Sequence, residues 1–388
     1  ARIYTPAVFI VALLVAILPP LVAGASWHEW IYKALVLLVI ACPCALVIST
    51  PVTIVSGLAA AARHGILIKG GVYLEEGHKL TWLALDKTGT ITHGKPVQTD
   101  FETLVDMDAV RCRSLAASLS GRSDHPVSRA ISAATVAIQT PVLAVESFEA
   151  LPGRGVRGVI DGKRYALGNH RLIHDLNLCT PAYEAQIEAL ERLGKTVVLL
   201  ADEHRVLALF AVADTVKESS HAAIGELHRL GVKTVMLTGD NQFTADAIAQ
   251  QVGIDQARGD LLPEDKLKAV EIFGGEGVVG MVGDGINDAP ALAKAHIGFA
   301  MGAMGTDAAI ETADVALMDD DLNKIPAFVR LSRATRSILV QNISMALIIK
   351  CVFLILTLVG LGTMWMAVFA DVGASLLVVV NGLRLLRK

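Results

Sequence analysis

Long apolar runs close both ends of this chain, and short apolar and polar stretches alternate through its middle. Four runs are long enough to cross a bilayer as helices: Pro6 to Gly24, about Ile31 to Leu58, about Ile338 to Gly362, and about Trp365 to Leu383. The second is expected to break at Cys42-Pro43-Cys44 and again at Pro51, because proline lacks an amide donor and crowds the preceding turn. Short links, Ala25 to Trp30 and Thr363 to Met364, make each pair a helical hairpin. Between Leu80 and Leu322 the pattern predicts strands at Trp82 to Leu85, Lys233 to Leu237 and Val278 to Val282, with helices at Thr244 to Val252 and Asp265 to Phe273. Strands alternating with helices make a parallel, doubly wound α/β sheet. Reactive groups in such sheets collect beyond the carboxyl ends of the strands. An insert interrupts it, with strands Val156 to Ile160 and Thr196 to Leu200 and a helix at Tyr183 to Leu193. The expected segments are 1–79 and 326–388 for the hairpins, 80–96 and 212–325 for the sheet, and 97–211 for an α+β insert.

Composition narrows the reading. The chain has 388 residues, of which 53% are hydrophobic and 19% charged, and a formal net charge of −4. No global basic field points to nucleic acid as a partner. Five cysteines in a chain of this size do not make a secreted disulfide framework. Arg2 precedes the first apolar run, Arg63, His64 and Lys69 follow the second, Arg330, Arg333 and Arg336 precede the third, and Arg384, Arg387 and Lys388 follow the fourth. The links carry no Lys or Arg, so both termini and the middle are expected to be cytoplasmic. The start, Ala-Arg-Ile-Tyr, reads as a piece of a longer protein.

The chemistry is concentrated in Asp86-Lys87-Thr88-Gly89-Thr90, directly after the predicted strand Trp82 to Leu85. A carboxylate at a strand tip, followed by Lys, small hydroxyls and Gly, is placed to attack phosphorus while amides and cations hold the phosphoryl oxygens. Further stretches, Thr238-Gly239-Asp240, Pro263-Glu264-Asp265-Lys266 and Gly283-Asp284-Gly285-Ile286-Asn287-Asp288, complete a set. Together they resemble the phosphorylation domain of a P-type ATPase, the cation-pump branch of the haloacid dehalogenase-like superfamily. The resemblance implies a multi-domain membrane protein: α-helical transmembrane hairpins, a haloacid dehalogenase-like α/β phosphorylation domain, and an inserted nucleotide-binding domain.

It also implies roles. Asp86 is the nucleophile that becomes an aspartyl phosphate. Mg2+ is held by Asp86, the Thr88 carbonyl and Asp284, with Asp288 supporting this shell and Asn287 nearby. Lys266 neutralises phosphoryl charge, and Thr238 and Gly239 donate hydrogen bonds to phosphoryl oxygens. Asp240 steadies the loop or contacts nucleotide. Soluble phosphatases of the superfamily carry a general acid-base Asp two residues after the nucleophile, where this chain has Thr88. A slowly hydrolysed phosphoenzyme suits a pump, which needs time for a conformational change.

In the insert, Gly153-Arg154-Gly155-Val156-Arg157-Gly158 has the spacing of a dinucleotide fingerprint. A strand follows it where a helix is required, so it reads instead as a glycine turn beside adenosine. Ser123-Asp124-His125-Pro126 resembles the His-Pro element that orients ATP in heavy-metal pumps, with Gly153, Gly155, Gly168 and Asn169 matching the same domain. The family often has Glu five residues before this His, where Ser120 stands here. Lys95 and Arg154 are open to contact with phosphates or with solvent.

Cys42-Pro43-Cys44 lies roughly 16–20 Å into its span at ~1.5 Å per residue, near the membrane midplane. A helix unwound there lets both sulfurs converge on one ion, and irregular backbone at that depth is tolerated only beside a site or cavity. Asp371 and Lys350 are ionisable groups inside spans, costly there and functional candidates. Two thiolates with a carboxylate suit Zn2+, Cd2+ or Pb2+. Lys350 is expected to pair with Asp371 when the site holds no ion. Cys112, Cys179 and Cys351 are expected to be structural. The resemblance is to the zinc/cadmium/lead exporter group, in a bacterial plasma membrane. A copper pump, or in another class a membrane-tethered phosphatase, is the alternative. A complete pump also has upstream spans and an actuator with a Thr-Gly-Glu loop. No Thr-Gly-Glu occurs here, so this chain is expected to be the carboxy-terminal part, able to bind ATP but not to complete a transport cycle alone.

Overall fold

A computed structural model describes residues 4–42, 44–138, 140–302, 305–359 and 361–387. Arg2, Pro43 and Lys388, used above for orientation and for the helix break, lie outside the described residues. The chain divides into two units, Ala1–His78 with Ala327–Lys388, and Lys79–Pro326.

The first unit is helical. Its principal helices are Tyr4–Ala23, Trp27–Ala41, Cys44–Arg63 and Met364–Leu383, joined by most of the long helix Lys324–Leu358. Among the described residues, four stretches are long and apolar enough to cross a membrane: Pro6–Ala23, Trp27–Arg63, Lys324–Thr357 and Met364–Arg387. Their outward side chains, among them Phe9, Leu13, Val22, Trp365 and Phe369, are exposed apolar groups that lipid would cover. The helices meet through small residues: Ala45, Ala346 and Ala374 pack with Val378, and Ala367 packs with Val36 and Ile40. Small side chains bring backbones close where water offers no hydrophobic drive.

Three sequence expectations change here. The helix Cys44–Arg63 runs through Pro51 without a break, because the donor lost at one proline is a local defect in a long helix. The first link is shorter than expected, since Trp27 already begins a helix. The third span is the far part of a helix that starts at Lys324, well before its apolar run.

The second unit holds a parallel sheet whose neighbours run Val315–Leu317, Ile297–Met301, Val278–Gly283, Leu80–Asp86, Lys233–Leu237, Gln256–Arg258. Its central strand buries Leu83, Ala84 and Leu85 completely, as a strand covered on both faces requires. Trp82 packs on Phe273 of the helix Pro263–Glu276, with ring centroids 4.6 Å apart. The insert folds as an antiparallel sheet in the order Val97–Thr103, Val206–Ala213, Thr196–Ala201, Lys163–Gly168, Gly155–Ile160, Glu146–Leu151. The helices Ala109–Ser120 and Pro126–Ala137 cover it through Leu115, Leu119 and Ile131.

Candidate functional site

Strand register assembles the first site. Leu85 pairs with Val282 on one side, and Asp86 pairs with Leu237 on the other. Asp86, Thr238-Gly239-Asp240 and Gly283-Asp284 therefore leave the sheet at one level. The helix Pro263–Glu276, opened by Pro263 at its first turn, brings Lys266 to the same place. Lys266 Nζ donates to Asp86 Oδ1 at 2.5 Å and to Asp288 Oδ1 at 2.8 Å. All three side chains are buried. Gly89 has φ +73°, and a Cβ there would collide with Asp284 Oδ2. Only glycine lets the loop and that carboxylate approach so closely.

Oxygens of Asp86, Asp284 and Asp288 lie within 4.8 Å of one another. Burial and then the charge of Asp288 raise Asp86 to about 6, against the pull of Lys266 and Lys87. Burial, Asp86 and Asp288 raise Asp284 to about 7. Burial alone would lower Lys266, but Asp86 and Asp288 reverse that and hold it above its ordinary value. Three converging carboxylates and one bridging ammonium leave an excess of negative charge. An all-oxygen set of this kind fits a hard divalent ion such as Mg2+.

Other expected residues take more specific positions. Thr238 spends its amide on the Arg258 carbonyl at 3.1 Å, and its hydroxyl oxygen accepts from the Asp240 amide at 3.1 Å. Its hydroxyl hydrogen, not its amide, is the donor left for a phosphoryl oxygen. Asp240 pairs with Lys87, the residue next to Asp86, and also lines the cavity described below. Thr88 follows in extended backbone and is half-buried. Asn287 is exposed, and among the described residues no hydrogen bond ties its side chain to the site. Its neighbour Asp288 turns inward while it does not.

Sequence reasoning missed Lys217 and Asp214. Lys217 Nζ, buried, donates to the carbonyls of Gly89 at 2.6 Å and Asp320 at 3.2 Å. Burial lowers its pKa, with Asp320 and Asp284 opposing. Asp214 accepts from Thr92 Oγ1 at 2.5 Å and from the amides of Gly94 at 3.1 Å and Lys95 at 3.2 Å, bracing the end of the Asp86 loop. The signal was available: Asp214 directly follows the strand Val206–Ala213, another carboxylate at a strand end.

A cavity of about 820 Å³ opens beside the loop Gly239-Asp240 and is walled by the insert. His125, Gly153, Gly155, Gly168, Asn169 and Arg154 line it. Pro126 is not part of the lining but begins the helix that His125 precedes. Lys95 is exposed and away from the wall. The glycines divide by role. Gly153, with φ +70°, has open space where a Cβ would be. Gly155 and Gly168 face each other across adjacent strands, and a Cβ on either would strike the other's backbone. Both still line the cavity, and their missing Cβ atoms also let the two strands pack closely. Asn169 donates to the Gly153 carbonyl at 2.9 Å and caps the next helix through the Leu172 amide at 3.1 Å. Arg154 pairs with Asp175. Burial lowers the His125 pKa, against the charge of Asp240. Glu191, also lining the cavity, is raised to about 7 by burial, Asp260 and Glu188. No sequence pattern had singled it out.

In the helical unit, the chain leaves one helix at Ala41 and enters the next at Cys44. Cys42 and Cys44 have Cα atoms 5.6 Å apart and turn their sulfurs toward each other, so both sulfurs meet at the break. Lys350 Nζ reaches the same point. It donates to the Cys42 carbonyl, to the Ile40 carbonyl at 3.1 Å and to Asp371 Oδ1 at 3.4 Å. Further along, Asn342 donates to Thr53 Oγ1 at 3.3 Å and to the Val378 carbonyl at 3.2 Å, and accepts from Asn381 at 2.8 Å. These asparagines form their own network.

Residues 80–296 match the family described as haloacid dehalogenase-like hydrolase. Over its whole length the chain is 48% identical to a probable cadmium-transporting ATPase of Staphylococcus aureus (strain MRSA252), covering 54% of that protein. It is 47% identical, again over its whole length, to the zinc/cadmium/lead-transporting P-type ATPase of Escherichia coli (strain K12), covering 52% of it. The chain thus spans about half the length of the curated relatives it matches. Among solved structures, a zinc-transporting PIB-type ATPase in the E2.Pi state aligns with all of the chain and 63% of its own, at TM-score 0.81 and 47% identity.

Proposed function

Because the chain belongs to the haloacid dehalogenase-like hydrolases, we propose that it is the catalytic and ion-carrying part of a P-type ATPase. Its work is the ATP-driven export of soft divalent ions, Zn2+, Cd2+ or Pb2+, across a bacterial plasma membrane, with residues 79–326 on the cytoplasmic side. The observation that carries this reading is Asp86, buried at a strand tip between Lys266 and two further carboxylates. Residues 80–96 and 212–325 form the phosphorylation domain, residues 97–211 the nucleotide-binding domain, and residues 1–79 and 326–388 the membrane hairpins.

ATP occupies the cavity beside His125, Gly153 and Asn169, with Asp240 at its inner edge. An Asp86 oxygen attacks the γ-phosphorus as the bond to the bridging oxygen breaks and ADP leaves, giving an aspartyl phosphate. Lys266 holds Asp86 in position and meets the phosphoryl oxygens with positive charge. The Thr238 hydroxyl and the Gly239 amide donate to those oxygens. Mg2+, held by Asp86, the Thr88 carbonyl and Asp284, would neutralise the charge of two approaching anions. Thr88 supplies no acid-base, so the acyl phosphate persists. The cargo ion is held by Cys42 and Cys44 as thiolates with Asp371, and Lys350 occupies the carboxylate when the ion leaves.

The single carboxylate beside the thiol pair argues against Cu+, which suits sulfur alone. Thr88 argues against a phosphatase. The test is phosphorylation of the full-length protein from γ-labelled ATP across a panel of metals. We expect acid-stable label that Asp86→Asn abolishes. Asp371→Ala is expected to remove its dependence on Zn2+ and Cd2+. Label that survives Asp86→Asn would end this reading, and stimulation by Cu+ alone would replace the cargo.

A further inference from the structure

Cys179 was expected to be structural, yet it does not sit alone. His170 opens the helix His170–Asp175, Cys179 follows in the connection, and Glu184 stands in the first turn of the helix Pro181–Glu191. One ligand atom from each, the imidazole nitrogen, the thiol sulfur and a carboxylate oxygen, lies within 4.8 Å of both others. We propose that His170, Cys179 and Glu184 form a second soft-divalent-cation site, on the insert and separate from Asp86.

The surrounding structure holds each ligand in place. Asn169 caps the His170 helix by accepting from the Leu172 amide at 3.1 Å, which fixes the residue just before the imidazole. Thr180 caps the next helix by accepting from the Tyr183 amide at 3.4 Å, which fixes the residue just after the thiol. Cys179 itself packs with Leu178 and Tyr183 against the small core built on Ile173, Ile187 and Leu199. Glu184 reaches back to His170 at 3.9 Å. That is too long for a hydrogen bond. His170 Nε2 is nevertheless shielded from solvent and has no hydrogen-bond partner among the described residues. A buried nitrogen without a partner is costly, and a cation between the three groups supplies one. This unpartnered nitrogen is the one that lies 3.9 Å from the Glu184 carboxylate.

Ligand chemistry selects the ion. One nitrogen, one sulfur and one carboxylate oxygen form the mixed set that suits Zn2+ and ions like it, whereas Mg2+ and Ca2+ prefer oxygen alone. Ligand atoms around tetrahedral Zn2+ stand about 3.3–3.8 Å apart, given bond lengths of about 2.0–2.3 Å. The cluster therefore needs to close by roughly 1 Å, within reach of side-chain torsions. Glu184 is exposed, so a fourth position faces water. His170 also lines the large cavity, which puts the ion on its rim.

The test uses the full chain in detergent with Cys42→Ser and Cys44→Ser, so that the membrane thiols do not contribute. Titration with Cd2+ is followed by the ultraviolet thiolate-to-metal charge-transfer band, and Zn2+ is then added in competition. We expect a single equivalent of Cd2+ with that band, displaced by Zn2+. The band should vanish with Cys179→Ser and persist with Cys112→Ser. The exposed or half-exposed changes His170→Gln and Glu184→Gln, which leave the core untouched, should each weaken binding by about tenfold or more. Absence of the band, its survival in Cys179→Ser, or full affinity in both His170→Gln and Glu184→Gln would overturn the site. None of these results bears on phosphorylation of Asp86.

Discussion

Lys266 and Lys350 answer the same problem in two different media. In the α/β unit, Lys266 bridges Asp86 and Asp288 while Asp284 stands close by, so the acids outnumber the ammonium. In the helical unit, Lys350 meets a single carboxylate, Asp371, and otherwise satisfies the Ile40 and Cys42 carbonyls. The first site carries surplus charge and the second is balanced. A strand-tip site borders a cavity open to water and ions, so surplus charge there can wait for a divalent partner. Inside lipid an unbalanced charge is far more expensive. A charge inside a span therefore needs an opposite charge beside it, which Lys350 and Asp371 supply for each other.

The largest effect should come from removing the bridge in the α/β unit. Lys266→Ala leaves Asp86 and Asp288 buried and facing each other, and should destabilise this unit by about 3–5 kcal/mol. Chemical unfolding of the full chain in detergent without divalent ions measures it. A variant as stable as the parent would break the claim that Lys266 neutralises the buried Asp86 and Asp288.

A double-mutant cycle sharpens the membrane side. Lys350→Met and Asp371→Asn each strand one charge, and the double variant strands none. It should recover about 1–3 kcal/mol relative to the sum of the single losses. Strictly additive losses in thermal unfolding would mean that the pair is not self-neutralising.

The smallest effect tests electrostatics at the open cavity. Glu191 titrates at about 7, above its ordinary 4.5, because of burial and then Asp260 and Glu188. For a raised acid, the stabilising neutral form is complete below the ordinary range and is lost as pH rises through about 7. Above that pH the wall gains a negative charge facing an anionic ligand. Between about pH 6 and 8 the affinity for a non-hydrolysable ATP analogue should fall by about two- to threefold more than in Glu191→Gln. Identical pH slopes would remove Glu191 from the proposed nucleotide site.

Much of the site was legible in residue order because its pieces are local. Asp86, Asp284 and Thr238 each follow a short apolar strand, and Lys266 follows a helix-starting proline. Reading them needed only the rule that strand ends carry chemistry. Asp214 satisfied the same rule but was passed over at the return from the insert. Lys217 could not be read this way, since it acts through carbonyls distant in sequence, and although Lys87 was read beside Asp86, its pairing with Asp240 was not. The glycines show the same limit. Gly153 and Gly155 look alike in sequence, yet one borders open space and the other abuts Gly168.

By itself the sequence determined the apolar spans, the alternation that makes a parallel sheet, the position of the insert, and the residue types able to carry phosphate and soft metal. These follow from periodicity and side-chain chemistry, which are properties of neighbours along the chain. Only the tertiary structure decided which carboxylates share Lys266, that Gly89 must admit Asp284, that Lys350 reaches Asp371, and that His170, Cys179 and Glu184 converge. Those outcomes depend on strand register and helix packing: a shift of one residue turns a strand side chain to the opposite face and swings a helix side chain by about 100°.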